Sequence, residues 1–136
     1  MNNYNGILMV NKPSGITSRD VINIVGKTLN TKKVGHTGTL DPMATGVLVL
    51  CLGNALKVCE LITANDKEYI AKVILGIETE TLDTTSPIIN TKKTNITKEE
   101  IEKVLNSFKG SYLQEVPKYS AVKINGKKLY EYAREG

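Results

Sequence analysis

The sequence predicts an α+β fold: a mixed, largely antiparallel sheet flanked by helices. Three observations carry that reading. Apolar stretches of strand length alternate with helical patterns that open on capping residues. An Asn125-Gly126 pair between short extended runs is the strongest hairpin signal in the chain, and hairpins pair strands antiparallel. The first strand is not followed by Gly-x-Gly-x-x-Gly, so a doubly wound dinucleotide fold is not indicated. With 136 residues, 40% of them hydrophobic, the chain is one ordinary domain able to bury a core.

Taken in order, Gly-Ile-Leu-Met-Val over 6–10 is a strand, ended by the turn Asn11-Lys12-Pro13-Ser14-Gly15. Thr17 or Ser18 caps a helix running to about Leu29, with Asp20 completing a capping-box variant. A glycine-rich loop follows, then a buried strand over 47–52. Residues 55–63 read as a short helix. Residues 67–77 alternate as a strand, with Tyr69, Ala71, Val73 and Leu75 on one face. A polar loop over 79–86 leads to Pro87, and Ile88-Ile89 can pair briefly. Thr97-Lys98-Glu99-Glu100 is a capping box opening a helix to about Phe108, with Ile101, Val104, Leu105 and Phe108 at core spacing and Gly110 as its stop. Residues 111–116 look extended, 119–124 form a strand entering the Asn125-Gly126 turn, and a helix starts over 129–134.

Composition narrows the function classes. No apolar run approaches the length needed to span a membrane, and the N-terminus lacks the basic and apolar regions of a signal peptide, so a cytoplasmic location is expected. Cys51 and Cys59 sit in apolar runs and read as structural thiols. With a single histidine no zinc set can be written, and no metal or cofactor is expected. The net charge of +4 is compatible with a polyanionic partner and weak by itself.

The chain is organised around Val34-Gly35-His36-Thr37-Gly38-Thr39-Leu40-Asp41-Pro42-Met43-Ala44-Thr45-Gly46. Three glycines, a proline, three threonines, the only histidine and one carboxylate lie within these thirteen residues. Glycine and proline exclude a helix interior, so this is a structured loop with Asp41 near its apex. Asp before Pro is common turn chemistry, and a carboxylate on a stiff loop can equally act as nucleophile or base. His36 is open between hydrogen-bonding spacer and catalyst. Lys12 can face a phosphate or solvent, and Tyr69 can be core or a stacking platform. The loop lacks the Gly-Lys-Ser/Thr ending of a nucleotide phosphate loop, which excludes that reading.

The run from Gly35 to Leu48 closely resembles the catalytic motif of the TruB family of bacterial tRNA pseudouridine synthases, which act on uridine 55 of the T-loop. Four further stretches resemble family motifs in the expected order. They are Asn11-Lys12-Pro13-Ser14-Gly15-Ile16-Thr17-Ser18, Asp66-Lys67-Glu68-Tyr69, Leu75-Gly76-Ile77-Glu78-Thr79-Glu80-Thr81-Leu82-Asp83, and Pro117-Lys118-Tyr119-Ser120-Ala121-Val122-Lys123 continuing to Arg134. The departures are small: Asn11 stands where Asp is common, Leu56 where Thr is, and Val116 where Pro is frequent.

The resemblance implies a pseudouridine synthase fold and a tRNA T-arm substrate, with the enzyme acting as a monomer. It implies Asp41 as the catalytic aspartate, His36 as an RNA contact near the flipped nucleotide, and Tyr69 stacked on the target base. Thr39 and Lys12 are implied as further substrate or RNA contacts, and Lys32, Lys33, Lys123, Lys127 and Lys128 are candidates for phosphate. Residues 1–136 would form the N-terminal part of the catalytic domain. An RNA-gripping insertion would begin at about 110, and the downstream Gly-Thr-Tyr-x-Arg stretch and a C-terminal RNA-binding domain would lie outside the chain. Two alternatives stand beside this: a non-catalytic RNA-binding or tRNA-folding module, and a guide-dependent synthase acting on ribosomal RNA.

Overall fold

The computed structural model describes residues 4–117, 119–120 and 122–135. It divides into two units, Met1–Ile70 and Ala71–Gly136.

In the first unit β1 (Gly6–Lys12) and β3 (Gly46–Leu52) pair antiparallel, from Gly6 opposite Leu52 to Lys12 opposite Gly46. The short β2 (Val34–His36) lies on the other side of β3, with His36 opposite Leu50. Period-two alternation sends Leu8, Val10, Leu48 and Leu50 to one face. There they meet Val21, Ile22 and Val25 of α1 (Ser18–Thr28), with Ile16, Val34 and Leu40 closing the cluster. Burying Val21, Leu48 and Leu50 stabilises the unit by about 1.5–3 kcal/mol per side chain.

α1 starts where the sequence places it. The Thr17 hydroxyl accepts from the Asp20 amide at 3.0 Å, and the Asp20 carboxylate accepts from the Thr17 amide at 2.8 Å. The Thr17 hydroxyl, which also donates to that carboxylate at 2.6 Å, and then the Thr17 amide hold the Asp20 carboxyl below the usual carboxylate range.

The helix expected over 55–63 is instead two pieces: a 3₁₀ turn at Gly53–Val58 and α2 at Cys59–Thr63. Close packing explains the break. The tighter turn lays Leu56 against Gly35, where a β-carbon would stand 2.6 Å from the leucine Cδ2.

In the second unit β4 (Ile77–Thr79) and β5 (Ile88–Thr91) form an antiparallel pair with a register shift at Glu78/Thr79. The polar loop between them turns on Asp83, whose carboxylate accepts from the Thr81 hydroxyl (2.6 Å), the Thr85 hydroxyl (2.5 Å) and the Thr85 amide (2.8 Å). Those bonds hold its pKa below the usual carboxylate range. α3 (Lys98–Ser107) carries the expected capping box, Thr97 with Glu100. β6 (Lys123–Ile124) and β7 (Lys127–Lys128) flank Asn125 and Gly126, both at positive φ (51° and 83°), as a tight hairpin requires. α4 spans Leu129–Glu135. Every pairing among the described residues is antiparallel.

Three expectations need correction. Residues 67–76 form no strand: β4 begins only at Ile77, and Ile70 and Val73 are exposed. Alternation alone does not make a strand, because its amide and carbonyl groups need a ladder partner, and none is found among the described residues. The strand expected over 119–124 shrinks to Lys123–Ile124, with Lys118 and Ala121 outside the described residues. Of the positions read as core in this helix, Val104, Leu105 and the C-cap Phe108 are more than half exposed while Ile101 is half-buried, and Phe108 sits edge-on to Tyr112, 5.6 Å between ring centroids.

Candidate functional site

The loop between β2 and β3 is held from both sides of Asp41 by the connection between β1 and α1. Ahead of Asp41, the Ser18 hydroxyl accepts from the Leu40 amide (3.0 Å) and donates to the Leu40 carbonyl (3.1 Å). Behind it, the Pro42 carbonyl accepts from the Gly15 amide (2.8 Å) and the Lys12 ammonium (3.2 Å). Asp41 closes its own turn, its carbonyl accepting from the Ala44 amide at 3.0 Å. Its side chain is exposed, so a rigid backbone presents a carboxylate to solvent.

That carboxylate lines an open cleft of about 1030 Å³, lined entirely by the first unit. Thr39, Asp41, Met43 and Val47 come from the loop and β3, and Ile62, Asp66, Lys67 and Tyr69 from the segment after α2. The Lys67 ammonium donates to the Thr63 carbonyl at the end of α2 (2.5 Å) and to the Asn65 carbonyl just beyond it (3.0 Å). Tyr69 is 67% exposed and offers an open ring face. A carboxylate and an accessible aromatic ring lining one cleft can hold a flat ligand and act on it.

A family model described as TruB family pseudouridylate synthase (N terminal domain) matches residues 26–136. The chain belongs to the TruB family. It is 54% identical over 134 residues to tRNA pseudouridine synthase B of Bacillus subtilis (strain 168), covering 97% of this chain and 43% of that protein. It is 51% identical over 132 residues to tRNA pseudouridine synthase B of Alkaliphilus oremlandii (strain OhILAs), covering 97% and 44%. The chain thus spans less than half the length of these curated relatives. Among solved structures it is similar to an H/ACA RNP bound to a substrate RNA containing 2′-deoxyuridine. There the TM-score is 0.55 at 25% identity, covering 82% of this chain and 30% of that one.

Of the five site residues expected for a TruB chain, Asp41, Thr39 and Tyr69 line one cleft. His36 and Lys12 are not among its lining residues. His36 is half-buried at the end of β2. Its Nδ1 accepts from the Gly38 amide (3.3 Å) and its carbonyl accepts from the Cys59 thiol (3.2 Å). A neutral imidazole accepting at Nδ1 carries its proton on Nε2, so what His36 has left to offer is a donor.

Lys12 is a correction. It is 0% exposed and gives its ammonium to three carbonyls, those of Pro13 (2.9 Å), Ile16 (2.8 Å) and Pro42 (3.2 Å). A buried ammonium with its three protons spent on the backbone has none to offer a phosphate. Alternation along β1 places Lys12 on the inward face with Leu8 and Val10, and that was the available signal.

Ser18, which the sequence offers as a helix cap, fastens the loop instead. Thr17 and Ser18 compete for one cap; Thr17 takes it, and the Ser18 hydroxyl is freed for the loop. Of the lysines proposed for phosphate, Lys32, Lys33 and Lys123 are exposed. Lys127 pairs with Glu135, and Lys128 lies over the Tyr130 ring.

Among the described residues there is no group of three or more His, Cys, Asp or Glu side chains placed to hold a metal ion, and no helix long and apolar enough to cross a membrane.

Proposed function

We propose that this chain is the N-terminal, aspartate-bearing part of a tRNA pseudouridine synthase that isomerises uridine 55 of the T-loop. The observation that carries the reading is the shared cleft of Asp41 and Tyr69, with Asp41 on a loop fastened at both neighbouring residues. Residues from about 110 begin an RNA-gripping insertion in this reading, and the activity belongs to the whole protein.

The reaction breaks the bond from ribose C1′ to uracil N1 and forms one from C1′ to C5. The proton displaced from C5 is lost and N1 gains one, so no atom is gained overall and no cofactor is required. The glycosidic bond is out of reach inside the stacked loop, so the uridine is first turned out. Tyr69 supplies a face for the turned-out ring, at a gain of about 1–3 kcal/mol for such stacking. Thr39 lines the same cleft, and His36 contributes its Nε2 proton to the RNA nearby. Asp41 assists detachment and reattachment of the base, by attack on ribose or base or by removing a ribose proton.

The H/ACA relationship at 25% identity raises a guide-dependent reading, and the much higher identity to proteins named as tRNA synthases favours the stand-alone one.

The test is conversion of uridine to pseudouridine in a T-arm hairpin by the full-length protein and its Asp41→Asn variant. Wild-type turnover with loss of at least about 10³-fold in the variant, at unchanged RNA affinity, is expected. A variant that keeps its turnover refutes the role of Asp41. A wild-type protein that binds and refolds the hairpin without converting it is the non-catalytic module.

A further inference from the structure

We propose that Ser18 is a positioning residue for the reaction, acting through Leu40 on the direction of the Asp41 carboxylate. The inference rests on the activity proposed above.

A serine at the first position of a helix is ordinarily read as a cap. Here that role is filled: the Thr17 hydroxyl accepts from the Asp20 amide at 3.0 Å and donates to the Asp20 carboxylate at 2.6 Å. The Ser18 hydroxyl makes no bond to its own helix. It is buried, with 3% of the residue exposed, and both its bonds go to one residue twenty-two positions away. A hydroxyl with its proton and a lone pair committed to one residue fastens that residue at two points.

The placement of those points matters. The Leu40 carbonyl belongs to the peptide plane that leads into Asp41, so its orientation sets the backbone from which the carboxylate projects. On the far side the Pro42 carbonyl has two other donors, Gly15 and Lys12, and tolerates loss of either better. Among the described residues the leading side has only Ser18 at Leu40. The hydroxyl is one residue from the acid it aims, and it does not line the cleft, so it can affect chemistry without touching RNA.

The test compares wild type, Ser18→Ala and Ser18→Thr in the full-length protein. It measures single-turnover pseudouridine formation at saturating T-arm hairpin, hairpin affinity, and amide exchange at Leu40. Loss of aim costs rate rather than binding. The alanine variant is expected to lose about 10- to 100-fold in rate, with affinity within about twofold of wild type and faster exchange at Leu40. The threonine variant, which returns the hydroxyl, is expected to recover most of the rate. An alanine variant with wild-type rate overturns the inference while leaving the proposed activity standing. Rate and affinity falling together overturns it too, since that is what a general loss of structure produces. A wild-type protein that makes no pseudouridine overturns the activity itself, and the inference with it.

Discussion

The two units differ in what holds them. In Met1–Ile70 a core of Val21, Leu48 and Leu50 is sealed, and even Lys12, Ser18 and Thr37 are buried. In Ala71–Gly136 none of the described residues is buried. That unit is held by hydrogen bonds: the β4–β5 pair, the Tyr119 hydroxyl donating to Glu80, the Asp83 loop, the Asn125-Gly126 hairpin and the Thr97 capping box. Its α3 has the amphipathic pattern of a core helix with the apolar side uncovered. A pattern of apolar residues therefore states a capacity for burial, and burial itself depends on what is there to cover it.

The comparison can be broken at its strongest point. Leu50→Ala empties a fully buried position and is expected to cost about 2–5 kcal/mol. The same truncation at Leu105, 60% exposed, is expected to stay within about 0.5 kcal/mol. Urea unfolding of both variants, followed by circular dichroism, decides the matter, and equal losses would erase the distinction between the units.

A smaller effect sharpens the first unit's side. Lys12→Met keeps a long apolar stem and removes the ammonium from three carbonyls. Lost stability of about 1–3 kcal/mol is expected, with loosening centred on 40–44. Amide exchange across the chain reads it, and a change confined to residues 13–16 would show that the Pro42 contact matters little.

The smallest effect belongs to the second unit and is set by pH. Hydrogen bonds from Thr81 and Thr85 lower the Asp83 pKa in the folded chain. Asp83 therefore contributes stability that is present above its unfolded value of about 3.9 and lost as pH falls through the folded one. Acid titration by NMR is expected to move the amide signals of 81–85 only below about pH 4. Movement nearer neutrality contradicts the hydrogen-bonded carboxylate.

What the sequence made legible follows the range of the interaction. Both capping boxes, the hairpin and α3 rest on residues within a few positions of one another, and all are found; β1 and β3 are found too, through apolar runs whose pairing joins distant segments. The contacts that build the site are long-range. Lys12 reaches Pro42 across thirty positions and Ser18 reaches Leu40 across twenty-two, and no spacing rule announces either. The expected strand over 67–77 fails for the same reason, since a strand is a relation between two segments. Asp41 and Tyr69 were found through motif resemblance, and their common cleft required the folded chain.

The thiol of Cys59 has a use of its own. It donates to the His36 carbonyl, while burial, and secondarily Cys59 itself, pushes the pKa of the Cys51 thiol up. The two sulfurs thus differ in access, one sealed in β3 and one half-open on α2. Alkylation of Cys59 requires its thiol to give up the proton it donates to the His36 carbonyl, so its rate is expected to rise when that bond to β2 opens. The protein comes with its own reporter group beside the site, and no label has to be engineered in.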